Sequence, residues 1–251
     1  MKTIYRLGVM MVAVVALLAL SMPVQASKMD NSIESSAKKS YVFQTYLKAD
    51  DIKVKSEDGA VTLTGTVSEE SHKSLAQDTV ADIPGVKSVD NKLEVKGTPP
   101  AKMSDAWITA KVKTMFLFHR NVSAMTEIST KDGIVILQGK AANEAQKDLT
   151  TEYAKDVEGV KGVKNEMTVG KIASKNQTVS QKIDDASITA QVKMTLLYHR
   201  STSALNTSVK TKDGVVTLSG KAKSGAEMDL AAKFANDVNG VKSVNNQMTI
   251  N

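Results

Sequence analysis

The feature that most limits the fold of this chain is a threefold internal repeat. One pattern, D-G-x-V-x-L-x-G, occurs at residues 58–65, 132–139 and 213–220. A second pattern, x-x-G-V-K-x-V, follows at the same distance each time, at residues 83–89, 157–163 and 238–244. Because recurring patterns at a fixed spacing indicate one structural unit used several times, we expect three copies of a small domain.

Each copy has the same predicted order of elements. An aspartate followed by apolar residues at helical spacing, such as Asp105, Ile108 and Val112, predicts a first helix with the aspartate as its N-cap. The Asp-Gly pair then predicts a β-hairpin, after which a second amphipathic helix and a third strand follow. We therefore expect an α+β fold of three tandem αββαβ domains, each with two helices packed on a three-stranded mixed sheet. The predicted units are 30–97, 104–170 and 183–251, with linkers at 98–103 and 171–182.

Residues 1–26 have the composition of an export signal. A basic start is followed by an uninterrupted apolar run at 7–20, which Pro23 ends. This pattern predicts a signal peptide that is cleaved before Ser27, and hence a soluble periplasmic protein; an uncleaved membrane anchor is the alternative. The chain has no Cys, which excludes disulfides, a Cys-ligated zinc and a lipid anchor on cysteine.

The patterns together resemble the BON domain, a family named for bacterial osmotically inducible and nodulation proteins. The features that are similar are the D-x-x-I opening of each unit, the Asp-Gly hairpin and the glycine-valine junction, and they extend over nearly all of the chain after residue 26. The resemblance implies a non-enzymatic periplasmic stress protein. It also implies association with phospholipid surfaces, or chaperone-like protection of exported proteins.

Enzymatic chemistry is not expected. The chain has no Ser-His-Asp arrangement, no metalloprotease motif and no phosphate-binding glycine loop, and His72 is interpreted as a solvated surface residue. The Asp-Gly pairs are interpreted as turns, since a calcium loop needs several oxygen ligands at close spacing. We therefore expect no catalytic residues, no metal and no cofactor. An aromatic content of 4% argues against a nucleic-acid partner whose bases stack on rings.

The first helix of the second unit has two stripes of side chains. The core stripe is apolar in every unit and is here Ile108, Val112 and Phe116. The stripe beside it contains Trp107, Lys111, Met115 and Phe118, and its counterpart in the third unit includes Met194 and Tyr198. Because the other units have Ser at the position of Trp107, we expect this ring to be partly exposed. Trp beside Lys on such a helix favours contact with a membrane interface; packing of Trp107 against a neighbouring unit or linker is the alternative.

The same helix ends on an aromatic-His-Arg sequence in two units, at Phe118-His119-Arg120 and Tyr198-His199-Arg200. Cations at a helix C-terminus interact favourably with the macrodipole, which is one interpretation. The other is an anion clamp, in which His and Arg bind a lipid phosphate. Basic residues outnumber acidic ones in these two units, whereas the first unit is acidic.

The sequence thus predicts an osmotic or envelope stress protein that binds anionic phospholipid surfaces through the first helix of its second and third units. The alternative is a periplasmic holdase-like chaperone that contacts unfolded or outer-membrane client proteins.

Overall fold

The protein is described from a computed structural model, which covers residues 27–122, 126–170, 182–202 and 206–250. The predicted signal peptide and nearly all of the predicted second linker lie outside these residues. Within the described ranges, no helix combines the length and the apolar character that crossing a bilayer requires.

Three units of the same architecture follow one another along the chain. The first contains α1 (27–39), α2 (Tyr41–Thr45), β1 (Asp51–Glu57), β2 (Ala60–Val67), α3 (Glu70–Ala81) and β3 (Ser88–Val95). The second contains α4 (Asp105–Phe118), β4 (Glu127–Lys131), β5 (Ile134–Gln138), β6 (Lys140–Ala141), α5 (Glu144–Lys155), β7 (Gly162–Asn165) and β8 (Thr168–Val169). The third contains α6 (Asp185–Tyr198), β9 (Thr207–Lys212), β10 (Val215–Ala222), α7 (Gly225–Asn236) and β11 (Ser243–Ile250). The predicted α+β class and the αββαβ order are confirmed.

Each sheet contains parallel and antiparallel pairs, and the second strand of the hairpin lies in the middle. In the third unit β10 pairs with β9 in antiparallel and with β11 in parallel orientation, and the first unit has the same arrangement. In the second unit β5 lies between β4 and β7, and the short pair β6–β8 continues the sheet. Alternate residues of the middle strand, such as Val216 and Leu218, are fully buried under the helices. The opposite face of each sheet is open to solvent.

The aspartate that opens each unit holds the hairpin turn of the same unit. In the second unit, the Asp105 carboxylate accepts hydrogen bonds from the backbone amides of Asp132 and Gly133, both at 2.8 Å. Asp30 and Asp185 make the same contacts in their units. These hydrogen bonds support a turn in which the backbone of the aspartate has the left-handed conformation, with φ 55° at Asp132.

This contact explains why the predicted N-cap is wrong by one residue. The cap of α4 is Ser104, whose hydroxyl accepts a hydrogen bond from the amide of Trp107 at 3.3 Å. The cap of α6 is Asp184. The aspartates after the caps are the first helical residues, and their carboxylates bind the hairpin instead.

The three units pack around α6, which contacts α3 of the first unit and α4 of the second. The amide of Tyr41 donates to Asp184 at 2.7 Å and that of Val42 donates to Ser187 at 3.1 Å, so side chains of the third unit cap α2. The Lys193 ammonium lies 2.6 Å from the Asp82 carboxylate of the first unit. The neighbouring units enclose most of α6, which accordingly buries polar side chains such as Gln191, whereas Leu197 near its C-terminal end stays exposed.

Candidate functional site

The predicted contact face of α4 and α6 lies mostly between the units. The core stripe of Ile108, Val112 and Phe116 is buried as predicted. Six of the ten candidate residues are also buried, namely Met115, Phe118, His119, Met194, Tyr198 and His199. The expectation that they line an open surface is wrong. A small unit cannot cover two stripes of one helix by itself, and the neighbouring units cover the second stripe.

Trp107 is partly exposed, as predicted, and lies at a seam between units. The Lys111 ammonium lies 4.4 Å from the centre of the Trp107 ring and 4.3 Å from the centre of the Tyr198 ring. One cation thus contacts an aromatic ring of its own unit and one of the third unit. Burial lowers the pKa of Lys111. Burial, together with the nearby Glu69 and Glu70 carboxylates, raises the pKa of Tyr198.

A cleft of about 490 Å³ opens beside Trp107, and we call it the Trp107 cleft. Its apolar lining comes from all three units and the first linker, and includes Val95, Pro99, Pro100, Trp107, Leu197 and Tyr198. Its wall carries the cations Lys96 and Lys111 and the carboxylates of Glu69 and Glu70. The sequence left open whether Trp107 faces a membrane or packs against a linker. In the structure the ring borders the cleft that the linker lines, and part of it stays accessible.

The histidines of the repeated aromatic-His-Arg sequence meet between the second and third units. The Nδ1 atom of His119 lies 3.0 Å from the Asp237 carboxylate, and that of His199 lies 2.9 Å from the Asp156 carboxylate. The two Nε2 atoms face each other at 3.3 Å. We call these four residues the histidine joint. Both imidazole side chains have 0% exposure, so water is excluded from their contact.

The geometry of the histidine joint limits how its nitrogen atoms can pair. Each Nδ1 lies within hydrogen-bond distance of a carboxylate and can donate to it, which leaves room for at most one proton between the two facing Nε2 atoms. A second proton would place two N–H donors against each other. Burial lowers the pKa of His199, Asp156 opposes this shift, and the charge of His119 adds to it. Because both imidazoles are closed to solvent, we interpret the joint as a structural contact between the units.

Backbone hydrogen bonds beside the histidine joint also form equivalent pairs, one in each direction between the second and third units. The amide of Arg120 donates to the carbonyl oxygen of Asp237 at 2.9 Å, and the amide of Arg200 donates to that of Asp156 at 2.8 Å. Each histidine also forms an isolated antiparallel bridge with the partner unit, His119 with residue 238 and His199 with residue 157. The second and third units are therefore related like the subunits of a twofold dimer.

The arginines of the two sequences have different roles. The Arg120 guanidinium donates to the carbonyl oxygens of Val238 at 2.9 Å and Val241 at 2.7 Å, just beyond the end of α7. The predicted contact of a cation with a helix C-terminus therefore occurs, but the helix belongs to the next unit. The Arg200 side chain is 55% exposed and lies 3.7 Å from Asp156. Both arginines are exposed residues, but only the Arg120 guanidinium binds the backbone of the neighbouring unit.

The two aspartates of the histidine joint were not among the residues predicted from the sequence. Asp156 and Asp237 occupy the same position in their units, directly before the second repeated pattern, and Asp82 is their counterpart in the first. The first unit has Gln44 where the others have His, and its Asp82 pairs with Lys193 instead. The sequence feature that could have identified the pairing is that His and Asp occur together at these positions only in the second and third units.

His72 is not the solvated residue that the sequence predicted. Its Nδ1 atom lies 2.6 Å from Asp50 and its Nε2 atom 3.2 Å from Glu69. Burial opposes protonation, yet hydrogen bonds to the two carboxylates raise the pKa of His72 above its usual value. Across the described ranges, no group of three or more His, Asp or Glu side chains is arranged to hold a metal ion.

Comparisons with known proteins agree with this architecture. The BON domain pattern matches residues 29–97, 104–171 and 184–251. The chain is similar to Osmotically-inducible protein Y of Escherichia coli (strain K12), with 37% identity over 148 residues, 58% of this chain and 72% of that protein. It is also similar to Outer membrane lipoprotein DolP of Haemophilus influenzae, with 34% identity over 113 residues, 45% of this chain and 56% of that protein.

Among solved structures, the chain is similar to CdsD, a structural protein of the type III secretion system of Chlamydia trachomatis. The identity is 16%, the TM-score is 0.25, and the match covers 87% of this chain and 90% of the other. So loose a superposition supports no argument. The domain matches, by contrast, cover most of the chain and coincide with the three αββαβ units. The chain therefore belongs to the BON-domain family and contains three copies of the domain.

Proposed function

We propose that this protein is a non-enzymatic, periplasmic stress protein of the cell envelope that binds peripherally to anionic phospholipid surfaces. Two relatives support the setting: one is named for osmotic induction and the other as an outer membrane lipoprotein. The apolar run at residues 7–20 supports export. Because most of the predicted lipid-binding face of α4 and α6 is buried between the units, we limit the proposed contact to the part that stays accessible at the Trp107 cleft.

The observation that carries the proposal is the combination of groups at the Trp107 cleft. A partly exposed indole lies beside Leu197, whose exposure is 51%, and beside the cations Lys96 and Lys111. An aromatic ring and an aliphatic side chain insert favourably among lipid headgroups, while ammonium groups attract anionic phosphates. The exposed Arg200, on the same helix end as Leu197, adds a further cation.

The repeat offers a matched pair of leucines for the test. Leu117 and Leu197 occupy the same position of α4 and α6, and both are 51% exposed, but only Leu197 lines the cleft. In co-sedimentation with phosphatidylglycerol vesicles, we expect Leu197→Ser to weaken binding about tenfold and Leu117→Ser to leave it unchanged. The tenfold figure is the upper end of what burial of the exposed half of one leucine side chain contributes. Equal binding by both variants, or no binding by the unchanged protein, would reject the proposal.

A holdase-like chaperone is the second candidate. The observation that favours it is the apolar surface buried at the seams, where Met115, Phe118, Met194 and Tyr198 would become accessible to an unfolded client if the units separated. Suppression of citrate synthase aggregation by the protein, in the absence of any vesicle binding, would favour this function over lipid contact.

A further inference from the structure

The exposed face of the third sheet is unlike the same face of the other two units. Lys210 and Lys212 of β9 and Lys221 of β10 are exposed and point away from the helices, since the alternate residues Val209 and Val216 are buried. In register, Lys212 lies opposite Val215 and Lys210 opposite Thr217. Apart from the exposed Val215, the rest of this outward face is polar and uncharged, with Ser208, Thr217, Ser219, Ser243, Asn245, Gln247 and Thr249.

In the first unit, the same face of the sheet carries both lysines and carboxylates, and they form ion pairs. There Lys55 lies 2.6 Å from Glu57, and Lys92 lies 2.9 Å from Asp90. The third unit replaces the four carboxylates of that face, Asp51, Glu57, Asp90 and Glu94, by Asn206, Lys212, Asn245 and Thr249. The second unit keeps a balanced pair in Lys164 and Glu166.

As a result, the third face has cations without counter-charges. In the part of the chain that the structure describes, no carboxylate lies within ion-pair distance of the ammonium groups of Lys210, Lys212 and Lys221, and no outward residue of β9, β10 or β11 is acidic. Exposed lysines of a sheet edge are ordinary, but the third unit differs from the other two because this face has an excess of positive charge and no acidic partners.

We propose that this lysine face, formed by Lys210, Lys212 and Lys221 with the neighbouring hydroxyl and amide groups, binds the anionic headgroups of a phospholipid bilayer. Three cations on a broad sheet suit an extended surface of phosphates. The serine and threonine hydroxyls between the lysines donate to phosphate oxygens. The inference rests on the proposed function and adds a second contact to the Trp107 cleft, so that one chain can bind at two places.

The test compares two variants of the full chain that change net charge equally. One replaces Lys210, Lys212 and Lys221 by Gln, and the matched control replaces Lys53, Lys55 and Lys92 of the first unit by Gln. Each lysine near an anionic leaflet strengthens partition about fivefold at low salt, so we expect the first variant to bind phosphatidylglycerol vesicles up to about 100-fold more weakly. The control should bind like the unchanged protein. Both should keep its thermal midpoint, because the substituted side chains are exposed.

The outcomes separate the two proposals. If the unchanged protein does not bind phosphatidylglycerol vesicles, the proposed function fails. If it binds and the lysine-face variant binds equally well, only the lysine face is rejected. An equal loss in the control would show that net charge alone acts, which also overturns the inference. Loss of binding to soluble heparin with unchanged vesicle binding would assign the face to another polyanion and overturn it too. Lys212→Glu, which restores the first unit's residue, should weaken vesicle binding more than Lys212→Gln.

Discussion

Replacing Asp237 by Asn is the most informative change in the histidine joint. The Asp237 carboxylate is 6% exposed and accepts hydrogen bonds from His119 at 3.0 Å, from the Tyr153 hydroxyl at 2.8 Å and from the Asn121 amide. An asparagine offers one acceptor oxygen and turns its own N–H groups toward these donors. At least one buried donor is then left without a partner.

The expected cost is about 3 kcal/mol, because removing one partner of a buried charged pair typically costs 3–5 kcal/mol. The equivalent aspartate of the first unit is the matched control. Asp82 pairs with Lys193 where both side chains are about a quarter to a third exposed, and such pairs contribute at most about 1 kcal/mol. Asp82→Asn should therefore have a small effect.

Urea unfolding, followed by far-ultraviolet circular dichroism and by Trp107 emission, measures both variants. We expect Asp237→Asn to lower the midpoint of the transition that separates the second and third units, and Asp82→Asn to shift it far less. Equal shifts, or a larger shift for Asp82→Asn, would refute the claim that the joint holds these units together.

Three further outcomes follow. Because burial lowers the pKa of His199 in the folded protein, the unfolded chain binds the extra proton first, and stability should fall as the pH drops below about 6.5; His199→Gln should flatten that fall, and urea midpoints at pH 7.5 and 5.5 check it. Proton NMR should show His72 titrating above and His199 below the usual value. Gly220→Ala should destabilise the protein by more than about 2 kcal/mol, since its β-carbon would lie 2.0 Å from the Asn206 carbonyl oxygen, whereas Gly170→Ala meets no atom within 4 Å; thermal midpoints distinguish the two.

The fold could be predicted from the sequence because each helix and strand of the unit occurs in three copies whose patterns can be compared. The hairpin glycines and the apolar alternation of residues such as Leu137 depend on local geometry, and three copies agree on them. The family and the αββαβ class were confirmed on this basis. The N-cap was misplaced because Asp105 satisfies a long-range contact with the hairpin, which local spacing does not encode.

The site was predicted less well because it depends on how the units pack. A stripe that is not part of its own unit's core was interpreted as a surface, yet Met115 and Met194 are buried by neighbouring units. The aspartates of the histidine joint lie 118 and 43 residues from their histidines, too far apart for a spacing argument. Trp107 was predicted correctly as partly exposed, although Ser187 at the same position of the third unit is buried against α2 of the first unit.

The emission of Trp107 tests the central claim most directly, because it is the single tryptophan of the chain. If the Trp107 cleft contacts an anionic membrane, the emission should shift to shorter wavelength on addition of phosphatidylglycerol vesicles and should return as salt is raised; phosphatidylcholine vesicles should leave it unchanged. An emission maximum that does not move with phosphatidylglycerol vesicles at low salt would contradict the account.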